Sequence, residues 1–191
     1  TRTYRRPQAA LRARFPADAG RVGRLMPTSL RPQWAMLNGE ALLCGYLGNQ
    51  RTIDYYRATL PQAEPIEIVE RSVEQDVADR NSAWRTRGPL SFRAAVPPKR
   101  IVEFASILPA SSWIADAAFG IVLGSNVDES QIAAIRKSAA DLGGSVRFSS
   151  EVAGNVSIDF STNAVERHII EQLKLSFDPD GKLNPLPRLS R

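Results

Sequence analysis

The chain has 191 residues, 43% hydrophobic and 24% charged, a globular composition with room for one large domain or two small ones. No run of about eighteen apolar residues occurs, so no membrane-spanning helix is expected. The net charge of +5 is uneven: residues 1–31 hold eight arginines against the single acid Asp18, and residues 32–191 balance at −2. The arginines are scattered, without lysine or a series of stacking aromatics. They argue for an acidic partner or an anionic substrate over a nucleic acid. The N-terminus is Arg-rich with no apolar core behind it, so no signal peptide is expected. The chain opens at Thr1, which suggests a fragment or a processed product.

In chain order, residues 1–7 are polar. Residues 9–15 alternate from Leu11 and predict a strand. Pro16-Ala17-Asp18 opens a short helix to about Met26, with Val22, Leu25 and Met26 inward. Two strands, 31–37 and 40–47, are joined by the hairpin signal Asn38-Gly39. The second contains the lone cysteine, Cys44, in an apolar run. That context predicts a buried, inert thiol, excludes an internal disulfide and argues for a reducing compartment. Gly45-Tyr46-Leu47-Gly48 reads as close backbone packing. A helix over 50–60 places Ile53, Tyr56 and Leu60 on one face and stops at Pro61. Residues 66–69 predict a strand. Ser72-Val73-Glu74-Gln75 is a capping box opening a helix with Val73, Val77 and Trp84 on one face. Glu70, Glu74 and Asp76 with Arg71 read as its solvated start.

The second half repeats this order. A strand over 90–96 leads to Pro97-Pro98, which starts a helix with Ile101, Val102, Ala105 and Leu108 inward. Strands over 113–119 and 121–123 flank Gly120, at a bulge or a tight turn. Asp128-Glu129-Ser130-Gln131 is a second capping box. Its helix turns Ile132, Ile135, Ala139 and Leu142 inward and stops at Gly143-Gly144. A strand over 145–152 closes the half. Residues 156–160 are extended, and Asn163 with Glu166 caps a last helix over 164–177. Its stripe of Val165, Ile169, Leu173 and Phe177 calls for a partner surface, so docking is expected. Trp34, Trp84 and Trp113 fall at positions suited to packing.

The order β-α-β-β-α-β therefore occurs twice, which predicts an α+β fold of duplicated ferredoxin-like type: two antiparallel sheets, each with helices on one face and its own core. The expected divisions are 1–86, 87–152, and 153–191 for the C-terminal strand, helix and tail.

In the tail, Asp178-Pro179-Asp180-Gly181 is strong turn chemistry. Pro179 sets φ for the first central position and Gly181 accepts a positive φ. The stretch Leu173-Lys174-Leu175-Ser176-Phe177-Asp178-Pro179-Asp180-Gly181-Lys182-Leu183-Asn184-Pro185 resembles the C-terminal signature of the FAD-linked oxidases, most of all the FAD-binding E subunit of glycolate oxidase. Leu186 follows Pro185 where that family usually has glycine. The resemblance implies a duplicated ferredoxin-like C-terminal domain that closes over a flavin held by an N-terminal domain, which would precede Thr1. It places Asn184 near the flavin ring. Ser91-Phe92-Arg93-Ala94-Ala95-Val96-Pro97-Pro98 resembles the family's aromatic-Arg-x-x-Val-Pro-Pro strand, and Arg93 could fork bidentately onto a carboxylate or phosphate of a substrate. A solvent-facing strand arginine and a capping asparagine are the alternatives at these two positions.

No GxGxxG or Walker sequence occurs. The sole histidine, His168, lies on the last helix and is expected in solvent. Some members of the family carry a histidine-rich metal motif on a strand of this domain, but Ala118-Phe119-Gly120-Ile121-Val122-Leu123-Gly124 has no histidine, so no metal is expected. These features lead to the cap domain of a glycolate-oxidase-like flavoprotein subunit acting on a small 2-hydroxy acid. FAD would be bound by the complete protein and not by this chain. Further oxidase subunits are expected as partners and nucleic acid is not. The expected location is cytoplasmic, with any membrane association through partner subunits. The alternative is a non-catalytic ferredoxin-like module for ligand binding or subunit assembly.

Overall fold

The computed structural model describes residues 6–83, 90–152, 155–160 and 164–182. Trp84, the Asn163 cap and Asn184 lie outside the described residues. The fold is α+β. The first half runs β1 (Ala9–Pro16), α1 (Ala19–Leu25), β2 (Trp34–Leu37), β3 (Ala41–Gly48), α2 (Gln50–Thr59) and β4 (Glu67–Arg71), followed by α3 (Val73–Ala83). The second runs β5 (Leu90–Ala95), α4 (Ile101–Ala105), β6 (Trp113–Asp116), β7 (Ile121–Ser125), α5 (Ile132–Asp141) and β8 (Ser145–Val152). β9 (Asn155–Phe160) and α6 (Ala164–Phe177) follow.

The strands form one antiparallel sheet, ordered β4-β1-β3-β2-β6-β7-β5-β8-β9. This corrects the expectation of two separate sheets. The edge strand β2 leaves backbone groups that must be satisfied, and β6 satisfies them. Met36 pairs with Asp116 and Leu37 with Ala115, and Ala117 N–H donates to the Ala35 carbonyl at 2.9 Å. The buried side chains of both halves accordingly join in one core, from Leu11 and Phe15 through Leu37 and Ala115 to Phe92 and Phe148.

Local chemistry explains most of the elements. Asp18 caps α1 by accepting from Gly20 N–H, and Val22 and Leu25 turn into the core. Asn49 caps α2 through Thr52 N–H, and Ile53, Tyr56 and Leu60 are buried, with the Tyr56 ring 4.7 Å from that of Tyr46. Pro61 does not end this segment abruptly. It sits in the first turn of a 3-10 helix, Leu60–Ala63, where its missing N–H costs nothing. Both capping boxes form, Ser72 with Gln75 and Asp128 with Gln131. The β2–β3 hairpin turns one residue later than expected. Asn38 pairs back to Ala41, and its side chain accepts from the N–H of Glu40 and Ala41, so Gly39 and Glu40 form the loop. At α4 Ile101, Ala105 and Leu108 are buried as expected, but Phe104 joins them in place of Val102, which is exposed, because the buried face runs i, i+3, i+4, i+7 from Ile101.

Helices α1, α2, α4 and α5 cover one face of the sheet, the face of Leu11, Ala13, Phe15, Ala35, Leu37, Phe92 and Ala94. α3, the helix between the two halves, packs on the opposite face over β1 and β2. There Asp76, only 1% exposed, accepts from Trp34 Nε1 at 2.8 Å and from Arg12 Nη2 at 3.2 Å. Arg12 also reaches Asp79 at 3.2 Å, and its guanidinium lies 5.4 Å from the Trp34 ring centre. Arg12 and Trp34 alternate with the core residues Leu11, Ala13 and Ala35, so strand parity sets them on the far face. Asp76 is thus a buried anchor and not part of a solvated helix start. The Trp34 indole covers Gly45, where a Cβ would come within 1.9 Å of it, so the close packing expected around Gly45 is present.

The expected docking of α6 is not seen among the described residues. Ile169 and Leu173 are each 51% exposed and Phe177 79%. The turn that ends the helix forms as expected. Gly181, at φ 65°, donates its N–H to the Asp178 carbonyl at 3.1 Å, and the buried Asp178 carboxylate accepts from Lys182 N–H at 2.6 Å and pairs with Lys174. Among the described residues, this cap is what closes the helix, while Ile169, Leu173 and Phe177 stay exposed.

Candidate functional site: a groove on the open sheet face

On the far sheet face of the second half Arg93, Ala95 and Arg147 are exposed, and the candidate site lies there. Its central residue is Arg93 on β5. Phe92 and Ala94 fix the parity of that strand by facing the core. The Phe92 ring lies 6.0 Å from both Phe104 and Phe148, and it covers Gly124 so closely that a Cβ there would come within 2.0 Å of it. Turning β5 over would expose these side chains, each worth about 1.5–3 kcal/mol when buried, and would bury a guanidinium instead. Arg93 must therefore face outward, and it is exposed.

Its neighbours come from both flanking strands. Leu123 of β7 and Arg147 of β8 are its cross-strand partners. Arg93, Asp116, Phe119, Ile121 and Leu123 line an open groove of about 630 Å³. Phe119 is held over the groove by the tight turn between β6 and β7. Gly120 makes that turn at φ 71°, its N–H donating to the Asp116 carbonyl at 2.9 Å. Its own carbonyl accepts from Val96 N–H at 2.9 Å, which leaves no room for a side chain. The Asp116 carboxylate accepts from Ala118 N–H at 3.0 Å and Phe119 N–H at 3.1 Å, so one of its oxygens is committed to the turn. Phe119 remains 77% exposed.

Among the described residues Arg93 has no carboxylate partner. It stands directly opposite Arg147 in the β5–β8 register. An anion bound between β5 and the apolar strip of Ile121 and Leu123 could be held bidentately by the Arg93 guanidinium.

The other sequence-level candidates lie apart from this groove. Cys44 is fully buried, and burial pushes its thiol up to about 12, with the nearby Arg21 charge opposing only weakly. It is an inert core residue, as its apolar context predicts. His168 is exposed on α6, and no group of three or more His, Cys, Asp or Glu residues able to hold a metal occurs among the described residues. No described helix is long and apolar enough to cross a membrane. Sequence reasoning missed Asp116, Phe119 and Arg147. The Asp116–Gly120 turn is the only local signal that could have placed Phe119 beside Arg93, and the two meet only through the β5–β7–β6 register. No protein-family model matches the chain, and no curated protein matches it either.

Proposed function

We propose that the chain is the cap domain of an FAD-linked 2-hydroxy-acid oxidoreductase subunit, similar to the FAD-binding E subunit of glycolate oxidase, and built as a duplicated ferredoxin-like domain. The β-α-β-β-α-β order occurring twice supports the duplication. So does the strand order, since β4-β1-β3-β2 and β8-β5-β7-β6 are the same sequence of positions within each half. The observation that carries the functional reading is the open sheet face with Arg93 at its centre. A cap needs one face packed by its own helices and another free to wall a site, and Arg93 is the cation available there to receive a carboxylate.

The described residues include no glycine-rich pyrophosphate cradle, so this chain would contribute substrate-side contacts while another domain holds the cofactor. When bound, the flavin supplies the hydride acceptor. Arg93 orients the acid, and Phe119, Ile121 and Leu123 keep water from its apolar side. Asn184, in the tail motif, would reach the ring. The assembly would sit in the cytoplasm with further oxidase subunits.

The test is the purified product of the complete reading frame that contains this segment. It should retain about one FAD per chain, and an added 2-hydroxy acid should bleach the flavin anaerobically. Arg93→Gln should slow bleaching at least tenfold at low acid concentration, the loss of about one charge-assisted fork. A full-length product without flavin defeats this reading. It would favour a non-catalytic assembly module, the reading to which the exposed apolar stripe of α6 lends support.

A further inference from the structure

We infer that the groove beside Arg93 selects a monocarboxylate with an apolar body, in preference to glycolate-sized acids and to dicarboxylates. That the acid is a substrate rests on the function proposed above; that it binds here rests on the groove alone. Three features lead to this class. First, the cation is at one end: Arg93 on β5, opposite Arg147. Second, the floor leading away from it is apolar, with Leu123 beside Arg93, Ile121 next along β7, and the exposed Phe119 ring above the turn. A volume of about 630 Å³ greatly exceeds what a two-carbon acid fills. Third, among the described lining residues the far end carries the Asp116 carboxylate and no cation. Asp116 pairs with Ile121, two strands across and two residues along from Arg93, about 12 Å away by strand spacing. A second carboxylate directed away from Arg93 and Arg147 would lie on Ile121 and Leu123 without a donor among the described lining residues, or approach the Asp116 carboxylate. Both positions are unfavourable.

The magnitude follows from methylene burial. A fully buried CH₂ strengthens binding about fourfold, so four of them at half burial give about fifteenfold. The groove is open, so half burial is the appropriate figure.

The experiment is an amide-shift titration of the 191-residue chain with 2-hydroxyhexanoate, hexanoate, glycolate and malate, each to about 20 mM. The expected result is saturable shifts at residues 93, 121 and 123, at least tenfold tighter for 2-hydroxyhexanoate than for glycolate, with malate no tighter than glycolate. Arg93→Gln should abolish them. Arg100→Gln, at an exposed arginine paired with Glu103, should not. Phe119→Ser, at a side chain already in solvent, should bring hexanoate toward glycolate without disturbing the fold. Equal affinity for the six-carbon and two-carbon acids, preference for malate, shifts elsewhere, or no shifts at all would overturn the inference. Hexanoate binding as well as 2-hydroxyhexanoate in a full-length protein that lacks flavin would leave this groove assignment standing and remove the oxidase reading. A flavoprotein that prefers glycolate would do the reverse.

Discussion

Replacing Asp76 by alanine tests the buried anchor under α3. The carboxylate accepts from the Trp34 indole at 2.8 Å and from Arg12 at 3.2 Å. Breaking a buried charged pair from one side costs about 3–5 kcal/mol, and an orphaned buried N–H alone costs about 1–3. Arg12 would keep Asp79, whose side chain is half in solvent and therefore only weakly compensating. The lower end of the range applies, about 3 kcal/mol. Trp34→Phe removes the indole donor and keeps a ring over Gly45, so about 1 kcal/mol is expected. Urea melts of the two single variants and the double variant give the coupling, expected at about 1–2 kcal/mol for groups in direct contact. Hydrogen exchange supplies a local readout. α3 buries little besides Asp76, with Val73 and Val77 only half-buried, so its amides should lose protection before those of α2. A loss of stability below about 0.5 kcal/mol for Asp76→Ala, or no coupling to Trp34, would refute the anchor.

Three further outcomes are expected. Cys44 should resist alkylation in the native protein at pH 8 and react on unfolding. Its folded pKa, about 12, lies above its ordinary value of 9.0, so the neutral thiol's contribution to stability is present below pH 9 and is lost as pH rises toward 12; rapid native labelling would contradict its burial. Asp18→Ala should cost about 1 kcal/mol as a lost N-cap. Burial pushes the Asp18 carboxyl up, but the hydrogen bond and charge of Arg24 with the Gly20 and Arg21 N–H groups outweigh it and hold the pKa below 3.8. The difference between wild type and variant should therefore be full above pH 4 and shrink as pH falls through the lowered native value, and melts at pH 7 and pH 2.5 check it. Phe177→Ala should change stability by less than about 0.5 kcal/mol, since that ring is in solvent, whereas Phe92→Ala should cost about 3–5 kcal/mol; similar losses at both would mean that α6 is docked after all.

What the sequence determined by itself is what short-range chemistry decides. The two capping boxes, the Asp178-Pro179-Asp180-Gly181 turn, the inward face of Ile53, Tyr56 and Leu60, the outward parity of Arg93 and the burial of Cys44 each depend on residues a few positions apart, or on strand alternation. The merging of two expected sheets through β2 and β6 depends on backbone groups of residues about eighty positions apart, and those groups are the same in every residue type, so no local pattern announces it. Asp76 reads as a solvent-facing helix acid until Trp34 and Arg12 arrive from strands that pair with neither α3 nor each other. Phe119 and Asp116 join Arg93 only once β7 lies between β5 and β6. At α6 the apolar stripe shows that burial would be favourable, but whether a surface is there to receive it is set by the tertiary structure. Periodicity records what a helix face could bury; only the packed chain decides what it meets.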